Sequence, residues 1–427
     1  MNIEEMTNNL VNVVKKNSAP ALGCTEPVAV AYAGAVANKY FKGDIKTIHI
    51  LVSKNIYKNG KSVIVPGTGE SGLALAGGLG FVGGDSDKGF MLLKDINENN
   101  IKRAKSFLKD NKINIGIKEG TPDIYIDFIA KGEEEVVETV VQDGHTNLTK
   151  VIVNNKDVYN NPSLKEKSSE KDFLKQLNFK TMREITEQVP LKDIDFIKYG
   201  IEQNTRAAEE GLKNKYGLQI GSSLKALEQQ GFIKVDMPRR ARIMTAAAAD
   251  MRMGGGNCEI ITSGGSGNQG IGVTLPIIIV AKELNIDETK MVRAAFFGNL
   301  VNCYIKAFAG KLSGMCGCAI GAGIGATVGI TWMLNGSDEQ IGGACNNMFA
   351  NISGIICDGA KDSCSLKLST SAEEAVLSAF LALKGTIVNP NIGIIGDNVE
   401  ETIKNIGNLS HEAFTTVDDV MINILNK

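Results

Sequence analysis

A chain of 427 residues exceeds one ordinary domain, so two or three cores are expected, each able to bury a sizeable apolar interior. Hydrophobic residues make up 43% and charged residues 22%, the balance of a globular enzyme. With 46 basic against 48 acidic residues and only 6% aromatics, there is neither the basic field that nucleic acid or an anionic membrane demands nor a platform for stacking bases.

The first six residues, Met1 to Met6, carry neither a basic nor an apolar signal region, so the expectation is a cytoplasmic protein without a disulfide framework. Its eight cysteines are then for packing, metal or catalysis. Residues 3–16 place Met6, Leu10, Val11 and Val14 at helical spacing. Pro20-Ala21-Leu22-Gly23-Cys24-Thr25-Glu26-Pro27 breaks regular structure, and an Ala-rich helix follows over 28–39. Cys24 therefore sits on a rigid turn at a helix N-terminus, where a thiolate is favoured; a small residue packed into a tight turn reads the same way.

Strands are expected over 47–53 and 62–65, and Pro66-Gly67-Thr68-Gly69-Glu70-Ser71-Gly72 leads from the second into an Ala/Gly-rich helix. Gly67, Gly69 and Gly72 match the dinucleotide fingerprint, with Asp85 or Asp87 at the ribose-binding distance. Gly265, Gly267 and Gly270 match it again, and a chain with 47 glycines will produce such matches by chance. Either turn can still hold a carboxylate on its exposed N–H groups. After a helix over 100–109, strands over 113–117, 123–130, 134–141 and 148–153 alternate apolar and polar residues, as an antiparallel sheet does. Gly144-His145-Thr146-Asn147 interrupts that sheet in a loop, and His145 is one of only three histidines.

Residues 154–171 are polar, contain Pro162 and read as a linker, which puts a domain boundary near residue 165. Helices are expected beyond it over 173–188, 191–215, 220–230, 238–253, 275–284, 289–312, 317–334, 340–352 and 372–384, the last with Ser371 and Glu374 as a capping box. Residues 316–334 are nearly uncharged and long enough to span a membrane, but their many glycines and lack of basic flanks mark a buried core helix. Ser266-Gly267-Asn268-Gln269-Gly270 offers backbone donors at a helix start, suited to an amino-acid carboxylate. The fold class expected is α+β: a mixed α/β domain over 1–165 with a mainly antiparallel sheet, then a large all-α domain over 166–427.

Cys357 and Cys364 are seven apart, roughly 10.5 Å on a straight helix, but Asp358-Gly359 between them would fold the segment back. With Cys316 they supply three thiolates, enough for an iron–sulfur cluster with one open iron. Cysteine also packs as a small hydrophobe, and the spacing has neither the ferredoxin run nor a zinc-ribbon pair, so both readings stand.

Read together, Pro20 to Pro27, Asn59-Gly60 with Val65 to Gly69, Gly144 to Asn147, Ser266 to Gly270, and Ser353-Gly354-Ile355-Ile356-Cys357-Asp358-Gly359-Ala360 with Ser363-Cys364 resemble the L-cysteine desulfidase family. That family is related to the iron–sulfur L-serine dehydratases. The resemblance implies a [4Fe-4S] lyase, independent of pyridoxal phosphate, that converts L-cysteine to pyruvate, ammonia and hydrogen sulfide. It implies Cys316, Cys357 and Cys364 as iron ligands, with Cys318 the alternative to Cys316, and Cys24 as base or resting ligand. Asn59, Gly67, Thr68, His145, Asn147, Ser266, Asn268 and Gln269 are candidates for holding the substrate. The expected partner is the small molecule L-cysteine, with no nucleic acid and no membrane; a homo-oligomer is left open. Rival readings are an iron–sulfur L-serine dehydratase, a nucleotide-dependent oxidoreductase built on the glycine matches, and a structural zinc protein.

Overall fold

The structure, a computed structural model, describes residues 2–161, 166–310 and 312–427. Its strands are β1 (Pro20–Ala21), β2 (Thr47–Val52), β3 (Ile113–Ile117), β4 (Tyr125–Lys131), β5 (Val136–Gln142), β6 (Leu148–Val153), β7 (Lys156–Asn160) and β8 (Ile260–Ile261). Six of them form one sheet in the order β3-β2-β4-β5-β6-β7, in which only the β2–β3 pair is parallel. The fold class is α+β, as the alternating segments led us to expect.

Period-two patterning explains the sheet. Ile48, Ile50 and Val52 of β2 and Ile126, Phe128 and Ala130 of β4 are all fully buried on one face. The helices Thr25–Tyr40 and Leu73–Gly83 cover that face, and they cross so closely that a Cβ at Gly80 would lie 2.0 Å from the Ala31 carbonyl oxygen. Strand β7, absent from the expectation, lies inside the stretch read as a linker. Every one of its residues is exposed, so it carries no apolar alternation to betray it. The strand expected over 62–65 reduces to a single Ile64–Ser71 bridge, because the Pro66 turn folds back before a ladder can form. A short helix, Lys54–Gly60, precedes it, capped by the Ser53 hydroxyl.

Apart from β8, the second half is helical. The helices Met237–Met253, Gly267–Glu283, Glu288–Ala309, Ile324–Met333, Asp338–Ile352 and Cys364–Leu383 share one core. The expected helices 173–188 and 191–215 are each broken in two, giving Glu166–Lys175 with Phe179–Gln188 and Leu191–Ile194 with Phe196–Lys213. The capping box at Ser371 is not used. Its helix begins seven residues earlier at Cys364, and the buried Ser371 hydroxyl donates instead to the Lys367 carbonyl at 2.9 Å. The expected helix 317–334 opens with a π-helical turn, Cys318–Gly323, and is buried through Met333. Among the described residues no helix is long and apolar enough to cross a membrane.

The two halves exchange elements. The leading helix, Ile3–Asn17, buries Leu10, Val11, Val13 and Val14 in the core of the helical half, and β1 pairs with β8. In return the final helix, Phe414–Leu425, rests on Lys54–Gly60 through a Lys58 Nζ–Asp418 Oδ1 pair of 2.5 Å, in which the Lys58 side chain is fully buried. The boundary expected near residue 165 lies outside the described residues. Neither glycine match has the strand–turn–helix of a parallel sheet around it: Gly67 follows an isolated bridge, and Gly265 follows the antiparallel two-residue β8. That removes the setting a dinucleotide fingerprint requires.

Candidate active site

A cavity of about 470 Å³ opens where the two halves meet. Cys24, Asn59, His145, Asn147, Ser266, Asn268, Gln269, Cys316, Cys357 and Cys364 all line it; Gly67 and Thr68 do not. Five of the eight cysteines face this one space, since Cys318 lines it too.

Cys24 is placed by its neighbours in the turn. Gly23 has φ +71°, and a Cβ there would meet Pro66 Cγ at 2.3 Å, so the close approach of the two turns requires glycine. The Cys24 backbone is extended and caps the helix Thr25–Tyr40. Its Sγ donates to Glu26 Oε2 at 2.9 Å, where the Thr25 hydroxyl also donates at 3.1 Å. Asn59 Nδ2 donates to the other oxygen, Oε1, at 3.3 Å. Burial, and then the negative charge of Glu26, push the Cys24 thiol well above its ordinary range. This overturns the expectation that the helix N-terminus would favour a thiolate there: the end of a helix is a weaker influence than a dry site with a carboxylate in contact. For Glu26 burial also opposes the charge, but His145, the Cys24 donor, a backbone N–H and Arg252 together outweigh it and hold the carboxyl below its usual range.

The cysteine side is built by a short antiparallel contact. Met315 bridges Ile356, Cys316 N–H donates to Ile355 O at 2.8 Å, and Cys357 N–H donates to Gly314 O at 2.8 Å. Two cysteines about forty residues apart are thereby brought side by side. The reversal expected at Asp358-Gly359 is present: Gly359 has φ +93° and packs so close to the Lys58 carbonyl that a Cβ would stand 2.4 Å from it. Cys364 then opens the helix Cys364–Leu383 and packs against Cys24, Val63 and Met253.

A hydrogen bond from Cys318 lowers the Cys316 thiol to about 6 against the opposing effect of burial, while Cys318 itself is raised well above the ordinary range. Burial raises Cys357, a rise that the positive charge of Lys58 moderates, and pushes Cys364 up to about 12. Among the described residues no three His, Cys, Asp or Glu side chains stand close enough to grip one metal ion. A multi-iron cluster makes a different demand, since it takes each thiolate on a separate iron and its ligands need not converge on a point. Three thiols lining one cavity, one already prone to ionise, are a soft donor set that fits such a cluster.

Glu26 and Arg252 are among the lining residues that the sequence does not single out. Glu26 was read only as part of the turn motif, and Arg252, on the last turn of Met237–Met253, was not singled out at all. Arg252 Nη1 donates to Asn268 Oδ1 at 2.8 Å, and Asn268 Nδ2 approaches Met253 Sδ at 3.3 Å. The turn carrying Asn268 is fixed from below by Asn302 Nδ2 on Ser263 Oγ at 2.9 Å and by Lys306 Nζ on Gly264 O at 2.8 Å.

The profile of the family described as "Serine dehydratase alpha chain" matches residues 87–423, a span that holds Cys316, Cys357 and Cys364 but begins after Cys24. A "UPF0597 protein" of Clostridium botulinum (strain Okra / Type B1) is 48% identical over 425 residues, covering 99% of this chain and 98% of its own. Proteins of the same name are 38% identical in Desulfatibacillum aliphaticivorans, over 95% of both chains, and 35% identical in Clostridioides difficile (strain 630), over 97% of this chain and 99% of the other.

Proposed function

The chain belongs to the serine dehydratase alpha chain family, related to the iron–sulfur serine dehydratases, and from that premise we propose that it is a lyase that degrades L-cysteine to pyruvate, ammonia and hydrogen sulfide. The reading rests on one observation: Cys24, Cys316, Cys357 and Cys364, drawn from remote parts of the chain, line a single cavity. Cys316, Cys357 and Cys364 would hold a [4Fe-4S] cluster. Once bound, the cluster would supply a soft Lewis acid for the departing sulfur.

The remaining work falls to side chains. Cys24 carries its proton on a 2.9 Å hydrogen bond to an ionised Glu26. Transfer along that bond leaves a thiolate on Cys24, which takes the substrate's Cα proton while the thiol's proton rests on the Glu26 carboxyl. The electron pair left at Cα forms the Cα–Cβ double bond as the Cβ–S bond breaks. Glu26 returns its proton to the sulfide, and the enamine tautomerises and hydrolyses in water. Thr25 and Asn59 keep both Glu26 oxygens engaged, so the carboxylate faces the thiol in a fixed direction. Asn59, His145, Asn147, Ser266, Asn268 and Gln269 surround the space left for the substrate, and His145→Ala with unchanged turnover would remove that histidine from the site.

L-Serine is the second reading, favoured by the family's own description. Anaerobically purified protein should release sulfide and pyruvate from L-cysteine with a higher kcat/KM than it releases pyruvate from L-serine. Cys357→Ala should lower iron content and turnover together. Pyruvate from serine with no sulfide from cysteine would reverse the assignment.

A further inference from the structure

We infer that Arg252, held by Asn268, is the anchor for the substrate's α-carboxylate; this deepens the reading above and rests on it. Arg252 is only 3% exposed, and its Nε has no hydrogen-bond partner. Among the described residues no carboxylate forms an ion pair with it. Glu26, the acid that shares the cavity lining, is engaged elsewhere: Cys24 and Thr25 donate to Oε2, and Asn59 donates to Oε1. Glu26 acts on Arg252 only through space, and a guanidinium taken out of water without a carboxylate in contact is costly, so buried charges are as a rule paired. Arg252 itself lines a cavity of ligand size.

The surroundings are shaped for the guanidinium. At Gly267, the first residue of the helix Gly267–Glu283, a Cβ would stand 2.3 Å from Arg252 Nε and 2.6 Å from Cζ. Glycine thus lets the guanidinium lie against the amino end of a seventeen-residue helix, whose free N–H groups favour an anion at the same place. Gln269, next in the same turn, presents a buried Oε1 that also lacks a partner. An α-amino acid zwitterion offers what the two lack, a carboxylate for the guanidinium and an ammonium donor for the amide oxygen. The Ser266–Gly270 turn therefore takes the carboxylate together with a side chain that spacing alone did not reveal, and the Gly67–Gly69 turn does not line the cavity.

The test uses anaerobically purified protein with iron content matched between wild type, Arg252→Gln and Arg252→Lys. Arg252→Gln should raise KM for L-cysteine about 10- to 100-fold, the loss expected for a charge-assisted hydrogen bond, with a smaller change in kcat. Arg252→Lys should fall between the two. Cysteamine, which is cysteine without its carboxylate, should inhibit wild type and Arg252→Gln equally. An unchanged KM, or a loss of cysteamine inhibition matching the loss for cysteine, would overturn the proposal. A binding measurement separates this proposal from the reaction assignment: L-alanine should protect Cys24 from alkylation in wild type but not in Arg252→Gln, whichever amino acid is turned over. Equal protection in both would refute the anchor even if sulfide release were confirmed.

Discussion

The carboxylate of Glu26 accepts from Cys24, Thr25 and Asn59 at 2.9, 3.1 and 3.3 Å, so a neutral amide in its place keeps the shape and loses the proton acceptor. Glu26→Gln should lower kcat by about 10²- to 10⁴-fold, the usual scale for a lost acid–base group, without changing iron content. The pH response gives a second reading of the same residue. Because the native carboxyl titrates below its ordinary value, the unfolded chain binds that proton more readily. Glu26 therefore stabilises the native state above the ordinary carboxyl range, about pH 4.3, and that contribution is lost as the pH falls from there through the lower native value. Denaturant midpoints of wild type and Glu26→Gln should differ at neutral pH and converge in acid; a gap that stays constant would show that the charge is not responsible. The cysteines of this site were legible in the sequence, because cysteine is rare and its motifs are distinctive. Glu26 and Arg252 were not, since an acid in the first turn of a helix and a base in the last turn are what any solvated helix carries. Only tertiary burial, at 6% and 3% exposure, marks them as exceptional.

Helix packing sets where these side chains stand. The helix Thr25–Tyr40 begins at the Cys24–Glu26 corner, and its backbone meets Leu73–Gly83 at the Ala31–Gly80 crossing. A methyl group at Gly80 would fall 2.0 Å from a carbonyl oxygen, and a backbone atom cannot swing aside as a side-chain end can. Gly80→Ala should therefore cost about 1–3 kcal/mol in urea unfolding and reduce kcat by shifting the helix that holds Cys24. Gly354→Ala, where a Cβ would meet nothing within 4 Å, is the control that should leave both unchanged. Equal effects from the two substitutions would mean that the crossing does not set the site. The same reasoning explains which elements could be read in advance. Buried alternation in β2 and β4 announced itself, whereas exposed β7 did not, and the serine-and-glutamate pattern at 371–374 imitated a cap inside a helix that begins at Cys364. Local chemistry at Ser371 permits either role. Packing of Leu368 and Ala375 on the helical core decides it.

At the scale of the whole molecule, the cavity belongs to neither half. The first 161 residues give it Cys24, Glu26, Asn59, His145 and Asn147, and the residues from 166 onward give it Arg252, Asn268, Gln269 and the iron-binding candidates. Three exchanged contacts hold these contributions in register: the Ile3–Asn17 helix in the helical core, the β1–β8 pair, and the Lys58–Asp418 pair beneath the Asn59 helix. Composition pointed to a boundary near 165, but no local pattern could show that the first and last helices each pack on the opposite half. That arrangement makes a break between the halves tolerable only while they remain associated. Expressed as separate chains, 1–161 and 166–427 should co-purify, and turnover should require both, with iron retained on the larger piece. Asp418→Ala in the larger chain leaves the buried Lys58 ammonium without its partner, a loss of about 3–5 kcal/mol, and should weaken the association measurably. Should the two pieces instead elute apart, each folded, the exchanged contacts would not be what aligns Cys24 with the three other cysteines.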